Sequence, residues 1–393
     1  MIHINRLVRK MTWPVIIYSL MACQPSPTSK STGTTPFVFR SLDLAQKHNN
    51  GDRNWDLKSP IASYDLNRRM IRAKQPSGLL YRSDKPSFSI SASNATVIND
   101  GEIVLLEGDV KLQQLTGQKV LITGNRLHWT PKTSIMVIDE RPQAFDTTSR
   151  LQSLRVEFDQ RNREIIFTGP TKLDRWSGQR NTDKAANTII HAGNGYWNID
   201  NGALKAEGPI KGEYRAKATD GGYFLSAKSL SGNLVDGYID LNKPVEVRFP
   251  EKEGELKARE TRWFFKAERL SSKDPFVGTM KSSTLQGGGF EVNLAETTVV
   301  IPRDCSFRQP GETLRAERCL WNWERNDIEA RGDVILKRKA NQHLTRSTRM
   351  KGRLGKEGMI EFSAPGARVH SQVRIEEPTK PQSQQRSRSQ VSF

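Results

Sequence analysis

One phrase, repeated four times, constrains this chain more than any other feature: alternating apolar residues, then a glycine, an aspartate or proline, and a return to alternation. Val104, Leu106, Gly108, Val110 and Leu112 form the first copy, and Ile165, Phe167, Gly169, Thr171 and Leu173 the second. Leu204, Ala206, Gly208 and Ile210 form the third, and Ile328, Ala330, Gly332, Val334 and Leu336 the fourth. A period of two puts every second side chain on one face, which is the pattern of a half-buried strand. The glycine lets such a strand bend or bulge where a sheet folds over. Trp-centred strands containing Trp129, Trp197 and Leu320-Trp321 precede three of the copies. Self-similarity of this kind predicts a stacked or meandering β-array whose units bury one face against their neighbours. The glycines fall at uneven intervals, so insertions separate the units and a strict solenoid is excluded.

Composition narrows the array further. Hydrophobic residues make up only 35% of the 393 residues, too few for a thick closed core, while 8 Trp, 15 Phe and 29 Gly are too many for a disordered chain. The chain begins with a basic stretch holding Arg6, Arg9 and Lys10, followed by an apolar run from Met11 to Ala22. That run is shorter than the roughly 20 residues of a membrane-spanning helix and suits an export signal over residues 1–22. Leu20-Met21-Ala22-Cys23 is similar to a lipobox, which predicts lipidation of Cys23. The Pro, Ser and Thr of residues 23–36 then serve as a flexible tether. Removing the leader takes the formal charge from +18 to +15. Outside the cytoplasm such a charge meets phosphorylated lipids and acidic glycans, not nucleic acid.

Polar breaks at Ser177 to Ala186 and at Lys211 to Gly222 interrupt the alternation, and the first sets the expected boundary between segments 37–176 and 187–375. Residues 376–393, rich in Pro, Gln, Ser and Arg, form an expected disordered tail. No nucleophile motif, phosphate loop or His-Glu-x-x-His is present, and the six histidines show no ligand spacing, so neither an enzyme, a metal site nor a cofactor is expected. Gly287-Gly288-Gly289 reads as a bulge or turn. Cys305 and Cys319 flank a Gln309-Pro310-Gly311 turn nearly symmetrically. Facing each other across antiparallel strands they would bridge in an oxidising compartment; otherwise they are two buried thiols.

Phe37-Val-Phe39, Trp55-Asp-Leu-Lys-Ser-Pro60, Tyr64-Asp-Leu, Phe88-Ser-Ile-Ser-Ala92 and Asn99-Asp-Gly through Gly108-Asp-Val resemble the LptC family, the periplasmic component of the lipopolysaccharide export ABC transporter, in its long cyanobacterial form. The Gly-Asp-Val phrase is also similar to the repeats of LptA-like domains. The resemblance spans roughly residues 37–175, with only the repeat continuing beyond. It implies an all-β, elongated open β-jellyroll, two sheets in a V, in two consecutive jellyroll segments, with acyl chains held between the sheets. The groove-lining residues would be Val104, Leu106, Val110, Leu112, Leu127, Trp129, Ile165 and Phe167. Implied partners are lipopolysaccharide, the inner-membrane transporter subunits and an LptA-like periplasmic jellyroll. The strands near Trp55 to Tyr64 would face the transporter, and those from Gly332 to Ile375 the next jellyroll. A sealed sandwich core makes the same alternation, and a β-repeat module for acidic glycan without lipid passage is the alternative function.

Overall fold

The computed structural model describes residues 37–48, 50–117, 119–215, 221–339, 342–353 and 358–374. The leader, Cys23, the tether and the tail at 376–393 lie outside the described residues. Within them the chain forms 34 strands and two short 3-10 turns, Asn99–Gly101 and Pro250–Lys252. No helix among the described residues is long and apolar enough to cross a membrane.

Every strand pairing is antiparallel, and the long strand Ile103–Gln114 shows how the sheets arise. Its residues 103–107 pair with Asn94–Ile98, whereas residues 111–114 pair with Lys85–Ser91. One strand therefore belongs to two branches of the ladder, and it changes branch at the repeated glycine. The register with Leu121–Thr130 jumps between Glu107 and Val110, as a bulge requires. The same jump falls between Glu207 and Ile210 and between Arg331 and Val334. In the second copy the bend is complete: Gly169-Pro170 separates strand Glu164–Thr168 from strand Thr171–Arg175, which pair with different neighbours.

Each pass of the chain thus runs up one sheet, over a corner and down the other. The first sheet extends from Met70–Lys74 to Ile360–Ser363 and the second from Ser77–Arg82 to His370–Gln372. The corners form a spine; the turns at the opposite strand ends form two rims that no strand pairing joins among the described residues. The result is an all-β jellyroll, elongated along its stacking direction and open on one side in the hydrogen-bonding sense. Gly287-Gly288-Gly289 is one of the spine corners, between strands Ser283–Gly287 and Phe290–Asn293.

Inward-pointing residues of both sheets make one continuous hydrophobic cluster from Trp55 to Met350. The stretch 176–187 is a loop between strands Thr171–Arg175 and Thr188–Ala192, which pair directly, so the ladder continues through it. The expected break at Lys211 to Gly222 is corrected: residues 211–214 continue strand Ala203–Tyr214 against Tyr223–Asn233. Ile210, Gly212 and Tyr214 are its inward positions, and Gly212 lies so close to Leu225 that a Cβ would meet the Leu side chain at 2.6 Å. A glycine at an inward site hides the alternation from a reading of apolar residues. The N-terminal edge also differs from expectation. Strand Arg53–Asp65 is covered by Phe37–Lys47, which pairs with nothing else among the described residues and leaves Phe37 and Val38 exposed.

Candidate functional site

The space between the sheets is where this fold can hold an apolar ligand, and edge-to-face aromatic pairs cross it both in the N-terminal half and further along, where Phe276 meets Phe290 at 5.0 Å. In the N-terminal half all eight predicted groove residues, Val104, Leu106, Val110, Leu112, Leu127, Trp129, Ile165 and Phe167, point inward and are 0–1% exposed. Aromatic pairs fill the gap from sheet to sheet. Trp55 meets Trp129 edge-on at 5.3 Å, and Phe88 meets Phe158 at 5.2 Å. Such contacts favour a closed interior, since edge-to-face rings add to the burial energy.

Further along, the sheets leave a cleft of about 100 Å³. Phe249, Leu256, Phe276, Met280, Leu285 and Phe307 line it from the second sheet, and Phe290, Val292, Val299 and Trp321 from the first. Its walls are apolar; the charges, Lys252, Glu255 and Glu324, are few. An elongated apolar space with a polar opening accepts hydrocarbon and leaves a polar head in water. These cleft residues were not singled out from the sequence, although their alternation, as in Phe290 and Val292, carried the same signal as the repeats.

The disulfide between Cys305 and Cys319 sits at the cleft, with a Cα–Cα distance of 5.9 Å. Its geometry differs from a pair facing across one hairpin. Cys305 lies opposite Ala316, whereas Cys319 begins the next pass in the other sheet, opposite Ile301 and Ala330. The bond therefore joins sheet to sheet beside the spine. The next inward residues, Phe307 and Trp321, meet at 5.4 Å on the cleft wall.

The rims carry a series of side-chain ties across the mouth. Arg82 of the second rim reaches Asp200 of the first at 3.2 Å, and Arg163 lies over the Phe88 ring at 4.5 Å while its Nε donates to Asp200 at 3.0 Å. Arg175 lies over the Phe265 ring at 4.5 Å, and burial lowers its pKa from the ordinary arginine value. The Tyr214 hydroxyl donates to Glu268. Over the cleft the tie is the weakest of the set, Lys252 to Glu324 at 3.8 Å between half-exposed side chains. The described residues hold no cluster of three or more His, Cys, Asp or Glu suited to a metal ion.

Residues 13–172 match the family described as lipopolysaccharide-assembly, LptC-related. No curated protein matches the chain. Among solved structures, LptH of Pseudomonas aeruginosa, described as the LptA homologous periplasmic component of the conserved lipopolysaccharide transport device, is similar at 12% identity and a TM-score of 0.26, covering 35% of this chain and 93% of that one. Over residues 13–172, less than half of the chain, the sequence is thus similar to the LptC-related family.

Proposed function

We propose that this chain is a periplasmic bridge component of lipopolysaccharide transport, receiving the lipid from an inner-membrane ABC transporter and passing it towards the outer membrane. The apolar cleft between Phe249 and Trp321, on a chain whose N-terminal part is LptC-related, is the observation that carries the reading. Acyl chains occupy the inter-sheet space and the sugar head stays outside the rims. In the N-terminal half the path follows Val104, Leu106, Val110, Leu112, Leu127, Trp129, Ile165 and Phe167 once the mouth ties part. No residue acts as a catalyst; ATP hydrolysis in the transporter supplies the work.

The two ends of the ladder suit the partners. Phe37–Lys47 at one end, and Ile360–Ser363 with His370–Gln372 at the other, present unpaired strand edges that can extend into a neighbouring sheet. The transporter would meet the first edge and an LptA-like jellyroll the second. Lipidation at Cys23 would hold the chain at a membrane, the inner one by this role.

A photo-crosslinker at Leu285, 5% exposed and on the cleft wall, is expected to capture lipopolysaccharide in an ATP-dependent manner, whereas one at the outward-facing Lys257 is not. Leu285→Arg should block passage, because an unpaired charge among acyl chains costs several kcal/mol, about the cost of leaving a buried charge unpaired. Equal labelling at both positions, or none at Leu285 in a folded chain, would defeat the transport reading and leave the acidic-glycan module.

A further inference from the structure

The mouth of the N-terminal half holds a second pocket whose chemistry an acyl chain cannot use. Its volume is about 320 Å³, and Arg82, Lys85, Gln114, Arg163 and Asp200 line it. Three cations face one carboxylate, and that carboxylate is divided between Arg82 and Arg163. Gln114 and Arg163 are each only 4% exposed, yet Gln114 Oε1 and Arg163 Nη1 have no hydrogen-bond partner among the described residues. One is an acceptor and the other a donor. Buried polar atoms left unpaired are costly, so a ligand that supplies both partners gains by reaching them.

We propose that this pocket binds an acidic sugar, one carrying a phosphate or carboxylate oxyanion. The surplus of positive charge at Arg82 and Lys85 takes the oxyanion through charge-assisted hydrogen bonds. Ring hydroxyls both donate and accept, so the hydroxyls of a sugar can serve the Gln114 acceptor and the Arg163 donor as the pocket adjusts around it. An apolar chain meets none of these requirements, and inorganic phosphate must supply its hydroxyl from the same group that pairs with the cations, whereas an acidic sugar has ring hydroxyls apart from its oxyanion. The oxyanion competes with Asp200 for Arg82, and the Arg82–Asp200 pair is a tie between the rims. Ligand binding and loosening of the mouth are therefore coupled at one carboxylate. That the sugar is the head of a transported lipid rests on the transport reading; the pocket's preference for an acidic sugar does not.

Isothermal titration of the full chain with glucose 1-phosphate, galacturonate, glucose and inorganic phosphate tests the site. The two acidic sugars should bind saturably at one site, at least about tenfold more tightly than glucose or inorganic phosphate. Arg82→Gln, at a side chain already 61% exposed, should weaken both acidic sugars by about tenfold, roughly the value of one charge-assisted contact. Gln114→Leu should remove the advantage over inorganic phosphate, and Arg262→Gln, on another part of the surface, should change nothing. Inorganic phosphate binding as tightly as the sugars, no saturable binding, or indifference to Arg82→Gln would overturn the proposal. Displacement of bound glucose 1-phosphate by intact lipopolysaccharide assigns the site to the lipid head; sugar binding without such displacement assigns it to a free acidic sugar. Capture of lipid at Leu285 is followed in the same variants, so that loss of sugar binding with capture intact, and the reverse, separate the two readings.

Discussion

Gly108 and Asp109 carry positive φ angles of 74° and 46°, and Gly332 and Asp333 repeat the arrangement at 75° and 39°. Two successive residues in the left-handed region turn a strand sharply, and glycine followed by aspartate is a pair that tolerates it. The Gly-Asp of the repeated phrase is therefore the corner at which the chain passes from one sheet to the other. A Cβ on Gly108 would stand 2.9 Å from the Ser93 side chain. Gly108→Val is accordingly expected to destabilise the chain by about 1–3 kcal/mol, the usual cost of holding a β-branched residue in a strained backbone region. Asp109→Gly should be neutral or slightly stabilising. Denaturant titration of both variants checks the pair, and a Gly108→Val chain as stable as the parent would show that the corner does not need its glycine.

At the scale of elements, the disulfide adds a covalent link to the sheet-to-sheet contacts of Phe276 with Phe290 at 5.0 Å and Phe307 with Trp321 at 5.4 Å. Cys305 and Cys319 join the two sheets at the cleft, where the mouth tie is a single exposed ion pair. Closing a loop of about 15 residues contributes about 3 kcal/mol in the chain-entropy model. Replacing both cysteines by alanine should lower stability by that order, with the loss confined to the strands around the cleft. Denaturation with and without reductant measures it; a change below about 0.5 kcal/mol, the scale of an ordinary surface substitution, would argue that strand pairing alone sets the spacing of the sheets.

For the molecule as a whole, strand pairing joins neighbouring passes, and contacts of greater sequence separation cross between the sheets, as from Trp55 to Trp129 in the interior and from Arg82 to Asp200, 118 residues apart, at the mouth. A ladder whose units touch only their neighbours opens in parts, not all at once. Val104, Val110, Leu112, Val156 and Phe158 of the N-terminal interior are 0% exposed, whereas the cleft residues Leu256 and Val292 are 7% and 8% exposed. Hydrogen exchange is therefore expected to protect strands Ile103–Gln114 and Arg155–Asp159 more strongly than Gly254–Ala258 and Phe290–Asn293. Uniform protection across the four would mean that the ladder behaves as one cooperative block and that the cleft is not the looser half.

Period-two alternation alone determined that the chain is β throughout, which residues point inward, and where the repeated glycine bends a strand, because strand geometry fixes the side of every second residue locally. It placed Val104, Leu106, Val110 and Leu112 on one face, and the structure puts all four inside. The separation of the two sheets was decided only by tertiary structure. An inward residue reads the same whether an aromatic ring from the opposite sheet fills the space before it, as Phe158 does for Phe88, or a cleft remains, as at Leu285. The cysteine pairing was settled at the same level: the symmetry of Cys305 and Cys319 about a turn suggested one hairpin, but the corner at Glu317 carries the second cysteine into the other sheet before the bond forms. The rim pocket was beyond local reading as well, since Arg82, Gln114, Arg163 and Asp200 come from four separate turns and strand ends, and only the folding of one sheet over the other brings them together.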